Sequence, residues 1–287
     1  MTPFELVEPA SLGEAIGLLD RDDPAVRPIA GGTALLLMMK AGFFKPIRLV
    51  SLRRIEPRYS RIALESDGAL RIGAMATLAA LEHSDAVRTR LPPVARALRR
   101  VANVRVRNVA TVGGNLAHAD PHLDLPPLWI ALGAELLVVG AGNERTISVD
   151  ALYRGYYETE LRHDEVIAEL TVPAQRRRRA TYVKCTTRAA EDWPALGIAV
   201  SFDLEDGAIV DARVALGAAT SHPLRLRAAE AALNGARPDD AALKRVGDAA
   251  ASEAKIVADD RGSASYKKHL LRVYLARAVR QAIGGEA

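Results

Sequence analysis

The chain has 287 residues, 49% of them hydrophobic and 26% charged, a balance that suits a water-soluble protein of one or two domains. Lys and Arg exceed Asp and Glu by only 39 to 35, and four Phe, two Trp and seven Tyr are too few rings for a base-stacking platform, so a nucleic-acid partner is excluded. The single cysteine, Cys185, excludes an internal disulfide, a Cys-rich zinc site and a self-contained iron–sulfur cluster, and it fits a reducing cytoplasm.

Glu5 and Glu8 interrupt the first nine residues, so no apolar stretch of a secretory leader is visible. Ser11 and Glu14 have capping-box spacing, which predicts a short helix reaching residue 19. A strand over 26–30 runs into Gly31-Gly32-Thr33, followed by a helix over 35–40 and a strand over 47–52. The apolar run in that helix is far too short to span a bilayer, and no transmembrane segment is expected. Next come a strand over 70–74, a capped helix over 77–83 and a helix over 91–104. The stretch 106–127 has no clean period and reads as a loop dense in Gly, Asn, Asp, Pro and His. A helix over 128–132 leads to a hairpin, 135–139 and 145–149, turned at Gly140-Ala141-Gly142-Asn143. This turn mimics a Rossmann fingerprint, but Arg145 stands where the third glycine belongs and no helix follows. A strand over 166–172 closes at Pro173, and Arg176, Arg177, Arg178 and Arg179 mark a solvated loop and a domain boundary. Beyond it lie three alternating segments, 181–185, 197–204 and 209–216, then helices over 225–234, 239–250 and 265–283. Strands first and helices last predict an α+β C-terminal domain of three antiparallel strands plus helices.

Two Gly-Gly turns carry the chemistry. Ala30-Gly31-Gly32-Thr33-Ala34 lies between a strand and a helix, where glycines let backbone approach a ligand and successive amides form a nest for phosphate. Thr33 is placed either to cap that helix or to give its hydroxyl to a phosphate oxygen. Thr111-Val112-Gly113-Gly114-Asn115 repeats the turn with a hydroxyl before it, an amide after it, and the carboxylates of Asp120 and Asp124 beyond. Donors for two phosphates and a carboxylate for ribose hydroxyls are what a dinucleotide ester needs. Asp124 also reads as a helix N-cap, Asp120 as a turn residue before Pro121, and His118 as a group that orients backbone.

Residues 106–121, Val-Arg-Asn-Val-Ala-Thr-Val-Gly-Gly-Asn-Leu-Ala-His-Ala-Asp-Pro, resemble the FAD loop of the flavin subunits of molybdenum hydroxylases. That family includes the medium subunit of aerobic carbon monoxide dehydrogenase and the FAD portion of xanthine dehydrogenase. The first turn, residues 155–161 and 164–167, the group Tyr182, Lys184, Arg188, Asp192 and Trp193, and residues 263–273 resemble further family segments in the same order. The resemblance implies an α+β chain with a two-lobed FAD-binding domain of the PCMH/vanillyl-alcohol-oxidase type. Its bounds would be 1–175, with lobes of about 1–55 and 56–175, followed by a C-terminal domain over 180–285 of the carbon monoxide dehydrogenase flavoprotein type.

The same resemblance implies FAD held non-covalently, with molybdopterin on a large partner subunit and [2Fe–2S] clusters on a small one. Ala30, Gly31, Gly32, Thr33 and Ala34 would cup the pyrophosphate with Thr111, Val112, Gly113, Gly114 and Asn115. Asp124 would contact the adenosine half, Ile167 the isoalloxazine ring, and Lys184 its carbonyl edge. Trp193 falls where some relatives place an aromatic residue against the flavin. Lys184 also reads as a solvated strand residue and Trp193 as ordinary core. Ala34 and Ala110 depart from the family pattern, which often has a polar residue and a glycine there. Two rivals stay open: a phosphate-binding module with no redox role, and a flavin oxidase that needs no partner.

Overall fold

The structure is a computed structural model that describes residues 2–284; positions 1 and 285, the outer ends of the two expected domains, lie outside it. The first lobe is a parallel sheet of β1 (Glu5–Val7), β2 (Val26–Ile29) and β3 (Arg48–Ser51), in the order β1-β3-β2. Parallel strands need crossovers, which α1 (Leu12–Gly17) and α2 (Leu35–Lys40) supply. The Ser11 hydroxyl accepts the Glu14 amide at 3.1 Å, while the Glu14 carboxylate reaches back to the amide of Ala10 rather than of Ser11. β1 escapes sequence reading because it has three residues and leaves Leu6 exposed.

The second lobe is an antiparallel sheet built from β4 (Ile62–Leu64), β5 (Leu70–Gly73), β6 (Glu135–Gly140), β7 (Asn143–Ser148) and, after the short hairpin of β8 (Tyr153–Gly155) and β9 (Glu158–Thr159), β10 (Val166–Val172). Its order is β4-β5-β10-β6-β7, so the last strand in the sequence sits in the middle. β10 is accordingly buried on both faces. Val166 and Ala168 pack with the first lobe, while Ile167, Leu170 and Val172 pack under the helices.

Six helices fill the chain between β5 and β6: α3 (Leu78–His83), α4 (Asp85–Arg90), α5 (Pro92–Leu98), α6 (Val104–Arg107), α7 (Val112–His118) and α8 (Leu125–Ala131). The expected helix over 91–104 is two helices, broken where Ala102 turns left-handed (φ 47°) and Asn103 caps α6 through the Val106 amide. α7 is the main departure from the expected loop over 106–127. Two adjacent glycines cost a helix roughly 1 kcal/mol each, which hides it from propensity. The helix forms because its first amides are satisfied from outside, as described below.

The C-terminal sheet has four antiparallel strands, β11 (Arg179–Cys185), β12 (Leu196–Glu205), β13 (Ala208–Gly217) and β14 (Leu224–Arg225), one more than the sequence predicts. One face carries α9 (Arg227–Leu233), α10 (Asp240–Glu253) and α11 (Ala264–Gly284), packed around Phe202, Leu216, Leu243, Leu271 and Leu275. The other face lies on α8 through Ala199 and Ala215, which belong to the second lobe's core. Small residues there bring the sheet close enough for the Ser201 hydroxyl to donate to the Ala131 carbonyl at 2.5 Å. Arg178, expected in a solvated loop, is instead half-buried against Ser201 and Asp211. Among the described residues no helix is long and apolar enough to cross a membrane.

The start of α9 is held by one buried carboxylate. Glu230 accepts the Val214 amide at 2.9 Å and both guanidinium arms of Arg225 at 2.8 Å. Glu230→Ala strands that amide and leaves Arg225 without its bidentate partner, so urea unfolding is expected to show a loss of about 3–5 kcal/mol. A loss under about 1 kcal/mol would mean that Arg225 finds another acceptor.

Candidate cofactor-binding site

The first glycine turn connects β2 to α2, and its backbone is unsatisfied. Ala34 is the N-cap of α2 and offers no side-chain hydrogen bond, so the expected cap by Thr33 is not made. Among the described residues, no acceptor lies within hydrogen-bond reach of the amides of Gly31, Gly32, Thr33 or Ala34. Gly32 is left-handed at φ 69°, which turns successive amides toward one side. Four free N–H groups at a helix start, with no carboxylate bonded to them, suit an anion.

The second turn opens α7, and its amides are already used. Val112 N–H donates to the Ala76 carbonyl at 2.9 Å, Gly113 N–H to Ala74 at 2.8 Å, and Gly114 N–H to the Thr111 hydroxyl at 3.1 Å. Asn115 N–H closes the first helical bond to Thr111. These bonds explain why a helix with two glycines forms. They also correct the expectation that both turns present free amides. Gly113 is glycine for packing, since a Cβ there would stand 2.7 Å from that of Ala74.

The two turns meet. A Cβ on Gly31 would lie 2.1 Å from the Val109 carbonyl oxygen, so the first turn rests directly on the chain leading into the second. Gly114 is exposed and faces Ala30, whose methyl would be 3.7 Å from a Cβ at that position. The side-chain amide oxygen of Asn115 is enclosed and has no partner. Unpaired N–H groups on one side and a bare glycine on the other fit a diphosphate ester, and the orphaned Asn115 oxygen, an acceptor, calls for a donor such as a ligand hydroxyl or N–H.

The remaining expected residues divide. Asp124 and Lys184 form a buried ion pair at 2.9 Å, joined by the Tyr182 hydroxyl at 2.7 Å and by the Arg100 carbonyl, which accepts from Lys184 at 2.9 Å. Burial pushes the Asp124 carboxyl up against the pull of Lys184 and Tyr182, and burial with Asp124 pushes the Tyr182 hydroxyl well up. The capping reading of Asp124 fails, because its side chain bonds no amide of α8, and the solvated reading of Lys184 fails with its burial. Their two expected contacts, with adenosine and with the ring edge, therefore fall on one ion pair rather than on two separated groups. Ile167 is closed into the core at the bulge of β10. Trp193 is not core: it is 49% exposed and stacks on His122, ring centroids 5.3 Å apart. Sequence reading missed Tyr182 as an Asp124 partner and missed Tyr157, whose hydroxyl donates to Asp120 at 3.0 Å. Only the strand alternation that points Tyr182 and Lys184 to the same face could have signalled the first.

Two glycine turns in contact, one with its amides free, offer the donors and the open backbone that suit a phosphate-containing ligand. Residues 2–175 match the family described as the FAD binding domain in molybdopterin dehydrogenase, and residues 181–282 match the CO dehydrogenase flavoprotein C-terminal domain. The chain belongs to this family of FAD-binding oxidoreductase subunits. It is 33% identical over 279 residues to the carbon monoxide dehydrogenase medium chain of Hydrogenophaga pseudoflava, covering 97% of this chain and 96% of that one. It is 32% identical over 274 residues to the nicotine 6-hydroxylase medium subunit of Paenarthrobacter nicotinovorans, covering 96% and 95%. A solved carbon monoxide dehydrogenase from Hydrogenophaga pseudoflava superposes with a TM-score of 0.94 at 36% identity, covering all of both chains. The α+β architecture expected from the sequence is that of these relatives.

The buried ion pair generates a stability test that needs no cofactor. Lys184→Met leaves the Asp124 carboxyl enclosed without its cation, and is expected to cost about 3–5 kcal/mol in urea unfolding of the FAD-free chain. Asp124→Leu combined with Lys184→Met should recover most of that loss. A double variant as unstable as the single one would show that the pair is not an isolated electrostatic unit.

Proposed function

We propose that this chain holds FAD non-covalently across the two turns and relays electrons from [2Fe–2S] clusters of a small partner subunit to an external acceptor. A large partner subunit would carry molybdopterin and oxidise the substrate, and the complex would work in the cytoplasm. One observation carries the flavin part: the unpaired amides of Gly31, Gly32, Thr33 and Ala34 in a turn packed against the chain that leads to exposed Gly114. In this reading those amides and the Thr33 hydroxyl bind the pyrophosphate, and Ala30, with only a methyl, and Gly114, with no side chain, let it approach. Thr111, Val112 and Gly113 fix the second turn through its own bonds, and the unpaired Asn115 side-chain oxygen accepts from a donor of the cofactor. Asp124 and Lys184 set a fixed charge pair beside the cleft, Ile167 supplies an apolar wall, and Trp193 supplies an exposed ring at the rim.

FAD contributes a carrier that exchanges electrons singly with iron–sulfur centres and in pairs with an acceptor. The chain's own groups position it and tune its potential. The partner requirement follows from one cysteine, which cannot hold a cluster.

The purified chain is expected to be yellow and to release FAD on denaturation. A Cβ at Gly114 clears Ala30 at 3.7 Å but stands 2.9 Å from the Thr111 hydroxyl, which must turn aside, and Gly114→Asp then sets a carboxylate against the phosphate; the variant should keep its fold, by circular dichroism, and purify colourless. A yellow variant with full occupancy would sink the phosphate assignment. Expressed alone, the chain should turn over no purine, aldehyde, N-heterocycle or carbon monoxide, and activity should require both partner subunits. Turnover by the chain with FAD alone would favour a self-sufficient oxidase.

A further inference from the structure

The loop from α7 to α8 is gripped by the C-terminal domain at both ends. Asp124 makes one grip. At the other, Asp120 is buried, accepts the His122 amide at 2.9 Å, and lies 3.0 Å from His122 Nδ1. His122 Nε2 is 3.3 Å from Asp259 Oδ2, 137 positions away, and that same oxygen pairs with the buried ammonium of Lys267 on α11 at 2.7 Å. The backbone agrees, since the Ala218 amide donates to the Pro121 carbonyl at 2.7 Å, while from the FAD domain's own side the Tyr157 amide donates to the Ala119 carbonyl at 3.1 Å. Ala119, Tyr157 and Ala218 are all left-handed, at φ 53°, 55° and 65°. Such strain, roughly 1–3 kcal/mol per residue, persists only where surrounding contacts impose it.

We propose that Asp120, His122, Asp259 and Lys267 form a positioning latch through which the C-terminal domain sets the affinity of the FAD loop. This inference rests on the flavin reading above. His122 meets one carboxylate at each ring nitrogen, Asp120 in the loop and Asp259 beside α11, and Lys267 fixes Asp259 from that helix, so the four groups tie the loop to the C-terminal domain.

The other groups around His122 are accounted for. Burial would raise both carboxyls, but His122 and the Tyr157 hydroxyl hold Asp120 below the ordinary range, and Lys267, the Arg261 amide and His122 do the same for Asp259. Both carboxylates therefore stay ionised at neutral pH. His118, 4.0 Å from Asp120, is pushed down by burial against the pull of that carboxylate. The Tyr157 hydroxyl is pushed up to about 12 by burial and by Asp120. Trp193 covers the His122 ring, and the Arg261 guanidinium sits 5.5 Å from the Trp193 centroid.

The test compares the full-length wild type with Lys267→Met, Lys267→Arg, Asp259→Asn and His122→Gln. FAD dissociation constants and hydrogen exchange of amides 119–124 are measured at one pH. Lys267→Met, Asp259→Asn and His122→Gln should bind FAD about tenfold more weakly than the wild type, with faster loop exchange, and Lys267→Arg should restore both. His122→Gln and Asp259→Asn, in partly exposed positions, keep the test decisive if Lys267→Met does not fold. Unchanged affinity and loop exchange in these variants would overturn the latch. Loop exchange is read without FAD, so a wild type that binds none defeats the flavin reading while the latch is still judged.

Discussion

The site depends on one close approach, that of Gly31 to the Val109 carbonyl. A side chain at residue 31 would stand inside that oxygen, so the first lobe can rest on the second only where the sequence has no Cβ. The contact does more than join two lobes. It fixes the β2–α2 connection against the entrance to α7, and thereby sets the open amides opposite Gly114. Any separation of the two segments would leave each turn facing solvent, where water satisfies an amide and an anion gains little.

The two turns read alike as sequence and behave differently as structure. Both have Gly-Gly beside a threonine at a helix start. Thr111 sits one residue before its helix and caps it, whereas Thr33 sits two before and Ala34 occupies the cap. The second turn also lies within reach of the Ala74 and Ala76 carbonyls at the end of β5, which take the amides of Val112 and Gly113. The first turn has no such strand end beside it. One position of offset and one neighbouring strand thus decide which turn is a scaffold and which is a set of donors.

That division marks how far sequence reading reaches. Strands with long apolar runs and helices with clear caps, such as β10, β12 and α3, are set by local chemistry and were legible within a residue or two. α7 was not, because its stability comes from carbonyls 36 and more residues upstream rather than from its own glycine-containing sequence. β1 and β14 were missed for a related reason, being short segments that exist only by pairing with β3 and β13. The candidate residues were legible as types, but the ion pair between Asp124 and Lys184 was not, since 60 positions separate them and nothing local announces the meeting.

The C-terminal domain is therefore part of the site rather than an appendage to it. Its face toward α8 is made of Ala199, Ala215 and Gly217, with Pro127 3.1 Å from where a Cβ of Gly217 would be. Bulkier residues would hold the sheet away from α8 and carry Tyr182 and Lys184 out of reach of Asp124. An ion pair enclosed this deeply costs about as much desolvation as it returns in attraction, so it adds little stability over an apolar pair. What it adds is a single allowed arrangement. Lys184 has three donors, and Asp124 and the Arg100 carbonyl take two of them only when sheet, α8 and the end of α5 are in register. The interface thus uses small residues to permit closeness and one buried charge pair to make the close position unique, and the cofactor loop inherits its shape from that choice.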